Sequence, residues 1–117
     1  MKMPKASDAD KEFFRSVVPE HAGVEIKPMF GNLGAFVNGN MLAGLFGDSV
    51  GVKLDDADRD ELAGFDGSGP FGPADRPMGG YLALPPAWRD EPAQAAGWVA
   101  RAYEYVAGMP PKPAKRR

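Results

Sequence analysis

The chain predicts an α+β domain of two layers: an antiparallel sheet of about five strands with flanking helices, in the order α-β-β-β-β-α-β-α. Three observations carry that expectation. Two short apolar runs, Gly34-Ala35-Phe36-Val37 and Met41-Leu42-Ala43-Gly44-Leu45-Phe46, meet at Asn38-Gly39. That dipeptide suits a two-residue hairpin, because both turn positions need φ > 0. Val50, Val52 and Leu54 then alternate onto one face, the period of a half-buried strand. Finally, Ala95, Trp98, Val99, Ala102 and Val106 recur at helical spacing and form one apolar stripe. Strands joined by tight turns must be antiparallel, and amphipathic helices can bury such stripes only against the sheet.

Each element follows from local chemistry. Ser7 caps a first helix whose positive end holds Asp8 and Asp10. Phe13, Phe14, Val17 and Val18 give that helix one apolar face, and Pro19 ends it. Residues 24–30 read as a strand that Pro28 places at a sheet edge or a bulge. After the hairpin, Gly47-Asp48 turns the chain into a fourth strand at residues 50–54. Asp55 caps a second helix running to about Leu62, with Gly64 as its stop. Residues 66–77 are rich in glycine and proline and read as an irregular loop. A fifth strand covers residues 80–84 until Pro85-Pro86 breaks it, and Asp90 with Pro92 opens the longest helix, which ends at Gly108.

With 117 residues, the chain has the size of one domain, expected at 1–111, followed by a basic tail at 112–117. A hydrophobic content of 44% with 26% charged residues belongs to the soluble globular class. There is no Cys, so disulfides, thiolate metal sites and cysteine nucleophiles are excluded. No apolar stretch approaches the roughly 18 residues of a membrane span. Residues 1–10 lack the apolar core of a signal peptide, so a cytoplasmic protein is expected, with no membrane partner. Net charge is −2, but Lys112, Lys115, Arg116 and Arg117 supply +4 at the end, which leaves residues 1–111 at −6. The tail, with its prolines and charges, is expected to be disordered. An acidic body lacks the basic face of a dedicated nucleic-acid binder, so direct DNA binding is not expected.

Few residues point to chemistry. Asp56-Ala57-Asp58-Arg59-Asp60 opens like an EF-hand loop, but Glu61 stands where the sixth-position Gly is needed and Gly67 where the twelfth-position acid is needed. A solvated acidic helix start explains those residues better. Gly31-Asn32-Leu33-Gly34 spells the G-x-x-G of KH domains, yet its flanks read as strands rather than helices. His21 is the single histidine; with four serines, no threonine and no nucleophile elbow, it reads as a surface residue. No catalytic residue, metal ligand or cofactor site is therefore assigned, and no enzymatic activity is expected. Gly44, Gly51, Gly79 and Gly80 sit inside predicted strands and imply that something approaches the backbone closely. A packing helix is the default, with a ligand or a second subunit as alternatives. Trp98 lies on the buried stripe, whereas Trp88 and Tyr103 lie off it and are the surface candidates.

The segment Lys27-Pro28-Met29-Phe30-Gly31-Asn32-Leu33-Gly34-Ala35-Phe36-Val37-Asn38-Gly39-Asn40-Met41-Leu42-Ala43-Gly44-Leu45-Phe46 resembles the signature of the TfoX/Sxy N-terminal domain. The resemblance continues through Val52-Lys53-Leu54, Arg76-Pro77-Met78-Gly79-Gly80-Tyr81, Leu84-Pro85 and Trp98, covering residues of roughly 10 to 111. Asn32 departs from it, since the family usually has Gly there. The resemblance implies an α+β sandwich around an antiparallel sheet and a regulatory or adaptor role, and it supplies no catalytic residues. Competence regulators of the family carry a second, C-terminal domain; here a short basic tail follows instead, so competence control itself does not follow from the resemblance.

The expected function is thus a non-enzymatic adaptor acting by protein contact in transcriptional regulation, its partner being transcription machinery or a second copy of itself. The candidate binding surface is Phe30, Asn32, Arg76, Tyr81 and Trp88. Arg76 is the one cation between Arg59 and Arg89, and a structural pairing with one of the many Asp residues is its competing role. The alternative function is a small-ligand-binding domain or enzyme using a pocket under the 66–77 loop, since long irregular loops are often functional.

Overall fold

Six strands form one antiparallel sheet in the order β1-β2-β3-β4-β6-β5, and helices cover one of its faces. The structure is a computed structural model that describes residues 6–18, 23–29, 32–72 and 79–110. In chain order the elements are α1 (Asp8–Val17), β1 (Val24–Met29), β2 (Asn32–Val37), β3 (Asn40–Phe46), β4 (Ser49–Lys53), α2 (Asp56–Ala63), β5 (Gly69–Pro70), β6 (Tyr81–Ala83), a 3₁₀ turn (Pro86–Asp90) and α3 (Pro92–Ala107). The α+β class and the antiparallel sheet agree with the sequence reading. Two elements are additional: β5, which lies in the loop read as irregular, and the 3₁₀ turn that follows Pro85. Gly79 and Gly80 lie in the turn before β6 rather than in the strand. Pro19, His21, Phe30, Gly31, Arg76 and the 112–117 tail, each given a role in the sequence reading, lie outside the described residues.

Local chemistry explains the elements. The Asn38-Gly39 turn has φ of 54° and 81°, both in the region the hairpin requires. Ser7 and Asp10 form a capping box, each side chain accepting from the other residue's backbone N–H, at 3.1 and 3.0 Å. The Ser7 N–H bond is the largest influence holding the Asp10 carboxyl below its usual range. Arg89, 2.8 Å from Asp10 and stacked on Phe13 at 5.0 Å, works in the same direction and ties α1 to the 3₁₀ turn. Asp55 caps α2 by accepting from the Asp58 N–H at 2.9 Å. Pro28 sits in β1, an edge strand, where its missing N–H does no harm.

On the helix-covered face the core runs from Leu33, Ala35 and Val37 of β2 through Leu45, Val50 and Val52 to Phe14, Val17, Trp98, Val99, Ala102 and Val106. Pairing shifts between Ala35/Phe36, where Ala35 opposes Ala43 and Phe36 opposes Met41. Leu42 is therefore the extra residue of a β-bulge, and it turns inward, fully buried, beside Ala43. Trp88 belongs to this core too. It is 8% exposed, stacked on Trp98 at 6.4 Å and met edge-on by Phe65 at 5.2 Å. The surface role expected of Trp88 is corrected here: the 3₁₀ turn folds the indole back onto α3. Tyr103 is partly buried against the same core.

The intrastrand glycines have a different explanation from a packing helix. Gly34, Gly44, Gly51, Ala83 and Gly69 pair in succession across the sheet, a row of small residues on the face opposite the core. Phe71 lies on that row. It is 3% exposed yet stands apart from the core cluster. A Cβ at Gly51 would collide with Phe71 Cγ, and one at Gly44 would lie 3.3 Å from Phe71 Cζ. Gly51→Ala should therefore cost about 1–3 kcal/mol through overpacking, and Phe71→Ala about 3–5 kcal/mol through the lost aromatic contact. In the double variant the glycine's cost should largely vanish, a coupling of about 0.5–3 kcal/mol in a denaturant cycle. Additive costs would show that Phe71 does not rest on Gly51.

Candidate functional site

Strand alternation decides what the uncovered face of the sheet presents. Val50 and Val52 point into the core, so Gly51 and Lys53 point outward, opposite Ala83 and Tyr81. By the same register Phe36 and Met41 face each other outward, and Phe46 lies outward beyond Gly44. An antiparallel sheet whose second face meets water normally carries polar residues there. Here Phe36, Met41, Phe46 and Tyr81 stand on it, each partly exposed. Phe71 joins them from the loop, edge-on to Phe46 at 6.3 Å and tilted against Tyr81 at 6.2 Å. Among the described residues the charged members of the face are Glu25 and Lys27, paired at 3.5 Å, and Lys53.

The hairpin end of this face is concave. A groove of about 320 Å³ opens between Phe36, Asn40, Met41, Lys53, Tyr81 and Met109. Its polar groups are held in place. The Tyr81 hydroxyl donates to the Met41 carbonyl at 2.8 Å, and the Asn40 amide donates to the Pro110 carbonyl at 3.1 Å. Lys53 Nζ sits 5.1 Å from the centre of the Tyr81 ring, a cation–π placement. Burial pushes the Tyr81 hydroxyl up to about 12.

Of the five residues singled out in the sequence, the structure brings one to this face with its contacts described: Tyr81. Asn32 is 4% exposed, and its Oδ1 accepts from the Gly47 N–H at 2.8 Å, so it staples the start of β2 to the β3–β4 turn. Trp88 is in the core, and Phe30 and Arg76 lie outside the described residues. Phe36, Met41, Lys53 and Phe71 were not foreseen as site residues. The signal that could have found them is the set of facing strand glycines, which needs an aromatic cover, with Phe71 the one aromatic in residues 66–77.

On the helix side a second aromatic group is closed by charge. Arg101 stacks on Trp98 at 4.2 Å and reaches Asp58 and Glu61 of α2 at 3.3 and 3.1 Å. This joins α2 to α3, with Phe65 meeting both tryptophans at the rim. Among the described residues no helix is long and apolar enough to cross a membrane.

A one-sided helix layer on an antiparallel sheet, with apolar side chains on the outer face and a groove at the hairpin end, defines a small two-layer α+β domain. The chain belongs to the TfoX N-terminal domain family, whose sequence profile matches residues 17–106. No curated protein and no solved structure matches it significantly.

Asn32→Ala leaves the Gly47 N–H without its acceptor and should cost about 1–3 kcal/mol in chemical denaturation, the penalty for an orphaned buried donor. Tyr81 is held neutral in the fold, so the stability it lends is fully present below pH about 10, its unfolded value, and is lost as pH rises toward about 12. Tyr81→Phe should lower stability at pH 7 by about 0.5–1.5 kcal/mol through the missing hydrogen bond. The variant should also lack the wild type's alkaline decline due to this group, as read from denaturation midpoints across that range.

Proposed function

We propose that this domain is a non-enzymatic regulatory adaptor that acts by protein contact in transcriptional regulation. The observation that supports this reading is the apolar outer sheet face, where Phe36, Met41, Phe46 and Tyr81 remain partly exposed. Exposed apolar patches of this kind mark interaction sites, and aromatic residues dominate the energetics of such contacts. The regulatory process comes from the TfoX/Sxy resemblance, and the partner is a component of the transcription machinery. The other reading, a ligand pocket under the 66–77 loop, is less well supported, because Phe71 of that loop fills the space over Gly51.

The test uses purified RNA polymerase holoenzyme immobilised on a sensor, with the wild-type domain and Phe46→Glu as analytes. Phe46 lies on the outer face away from the hairpin-end groove. The expected outcome is binding that drops at least tenfold in the variant, about 1.4 kcal/mol or more, with circular dichroism showing the fold intact. Labelled duplex DNA near 0.1 M salt, where the Debye length is about 10 Å, is the counter-screen, run with and without residues 112–117. DNA binding that survives removal of the tail would overturn the adaptor reading, and binding lost with the tail would show the steep salt dependence of generic charge attraction.

A further inference from the structure

We propose that the groove at the hairpin end of the sheet is a binding site for a small aromatic monocarboxylate. The inference goes beyond the adaptor reading and does not depend on it. Its first support is the shape. The groove's volume of about 320 Å³ lies at the lower end of ligand sites, roughly 300–1,000 Å³, and suits a molecule of a single ring with a short substituent.

Its second support is the lining. Phe36 and Tyr81 supply ring faces, and Met41 and Met109 supply thioethers, which adapt to flat apolar ligands and make favourable sulfur–aromatic contacts. The rings are set before any ligand arrives, since the Tyr81 hydroxyl is tied to the Met41 carbonyl and Asn40 ties the hairpin tip to Pro110. Preorganised walls reduce the entropy lost on binding.

Its third support is charge. Lys53 is partly buried and forms no ion pair among the described residues, although the chain carries 16 acidic against 14 basic side chains. Its ammonium rests over the Tyr81 ring and is left room by Gly80, where an added Cβ would lie 3.2 Å from Nζ. Lys27, the other cation of this face among the described residues, pairs with Glu25 at 3.5 Å and lies 5.4 Å over the Phe36 ring. An ammonium beside a ring face, with no acidic partner among the described residues, is complementary to a carboxylate attached to an aromatic ring, because charge-assisted hydrogen bonds are the stronger kind.

The test is an amide-resolved NMR titration of the full chain with phenylacetate, run beside its neutral analogue phenylacetamide. Phenylacetate should shift resonances of Phe36, Gly39, Met41, Lys53 and Tyr81 in a saturable way, at least tenfold more tightly than the amide. Lys53→Met, which keeps the apolar stem, should reduce phenylacetate affinity about tenfold or more and leave phenylacetamide unchanged, while Lys53→Arg should retain most of it. No groove shifts up to tens of millimolar phenylacetate would overturn the proposal, as would equal binding of acid and amide or indifference to Lys53→Met. The acid-against-amide comparison on the wild type is decisive even where a variant fails to fold. Loss of polymerase binding in the adaptor test would leave these outcomes untouched.

Discussion

The contact between the Phe71 ring and the backbone of Gly51 and Gly44 is the constraint on which the outer half of the molecule depends. Three glycines and an alanine in paired register, Gly34, Gly44, Gly51 and Ala83, leave a shallow trough across the middle of the sheet. Only residues without a long side chain allow a ring to settle there, and each glycine weakens the strand that carries it. Burial of an aromatic ring offsets that cost. The loop after α2 is thereby pinned, β5 is brought against β6, and Tyr81 and Phe46 gain a common aromatic neighbour.

The two faces of the sheet therefore do different things. The helix side is a conventional core in which α1 and α3 bury their stripes and Arg101 and Arg89 close the seams with ion pairs. Among the described residues the outer side is finished by one loop residue rather than by a layer, and it keeps partly exposed apolar side chains and a groove. The β-bulge at Leu42 contributes to this division. It sends Leu42 inward and leaves Met41 opposite Phe36 at the groove.

Much of the fold was legible because its signals are local. The Asn38-Gly39 turn, the Ser7 and Asp55 caps, the Gly64 and Gly108 stops and the α3 stripe each sit within a few residues of the structure they specify. What was not legible depends on partners distant in sequence. The glycines showed that something lies close to them, but Phe71 comes from 20 residues beyond Gly51 and from a segment without periodicity. Trp88 looked exposed because it is off the α3 stripe; the 3₁₀ turn that folds it onto Trp98 has no periodic signature in five residues. Asn32 read as a mild change in a turn, while its buried acceptor role is set by Gly47, fifteen residues away. Of the candidate site, Tyr81 was found through the family resemblance, and the residues around it required the strand register.

The most direct test of this account is the proton chemical shift of the Gly51 Hα atoms. An aromatic ring lying flat on that methylene shields the proton beneath it, so the account predicts one Gly51 Hα resonance displaced strongly upfield of the usual strand-glycine position, returning toward it in Phe71→Ala. Two ordinary, nearly equivalent Gly51 Hα resonances in the wild type would contradict it, because Phe71 would then not be seated on the sheet.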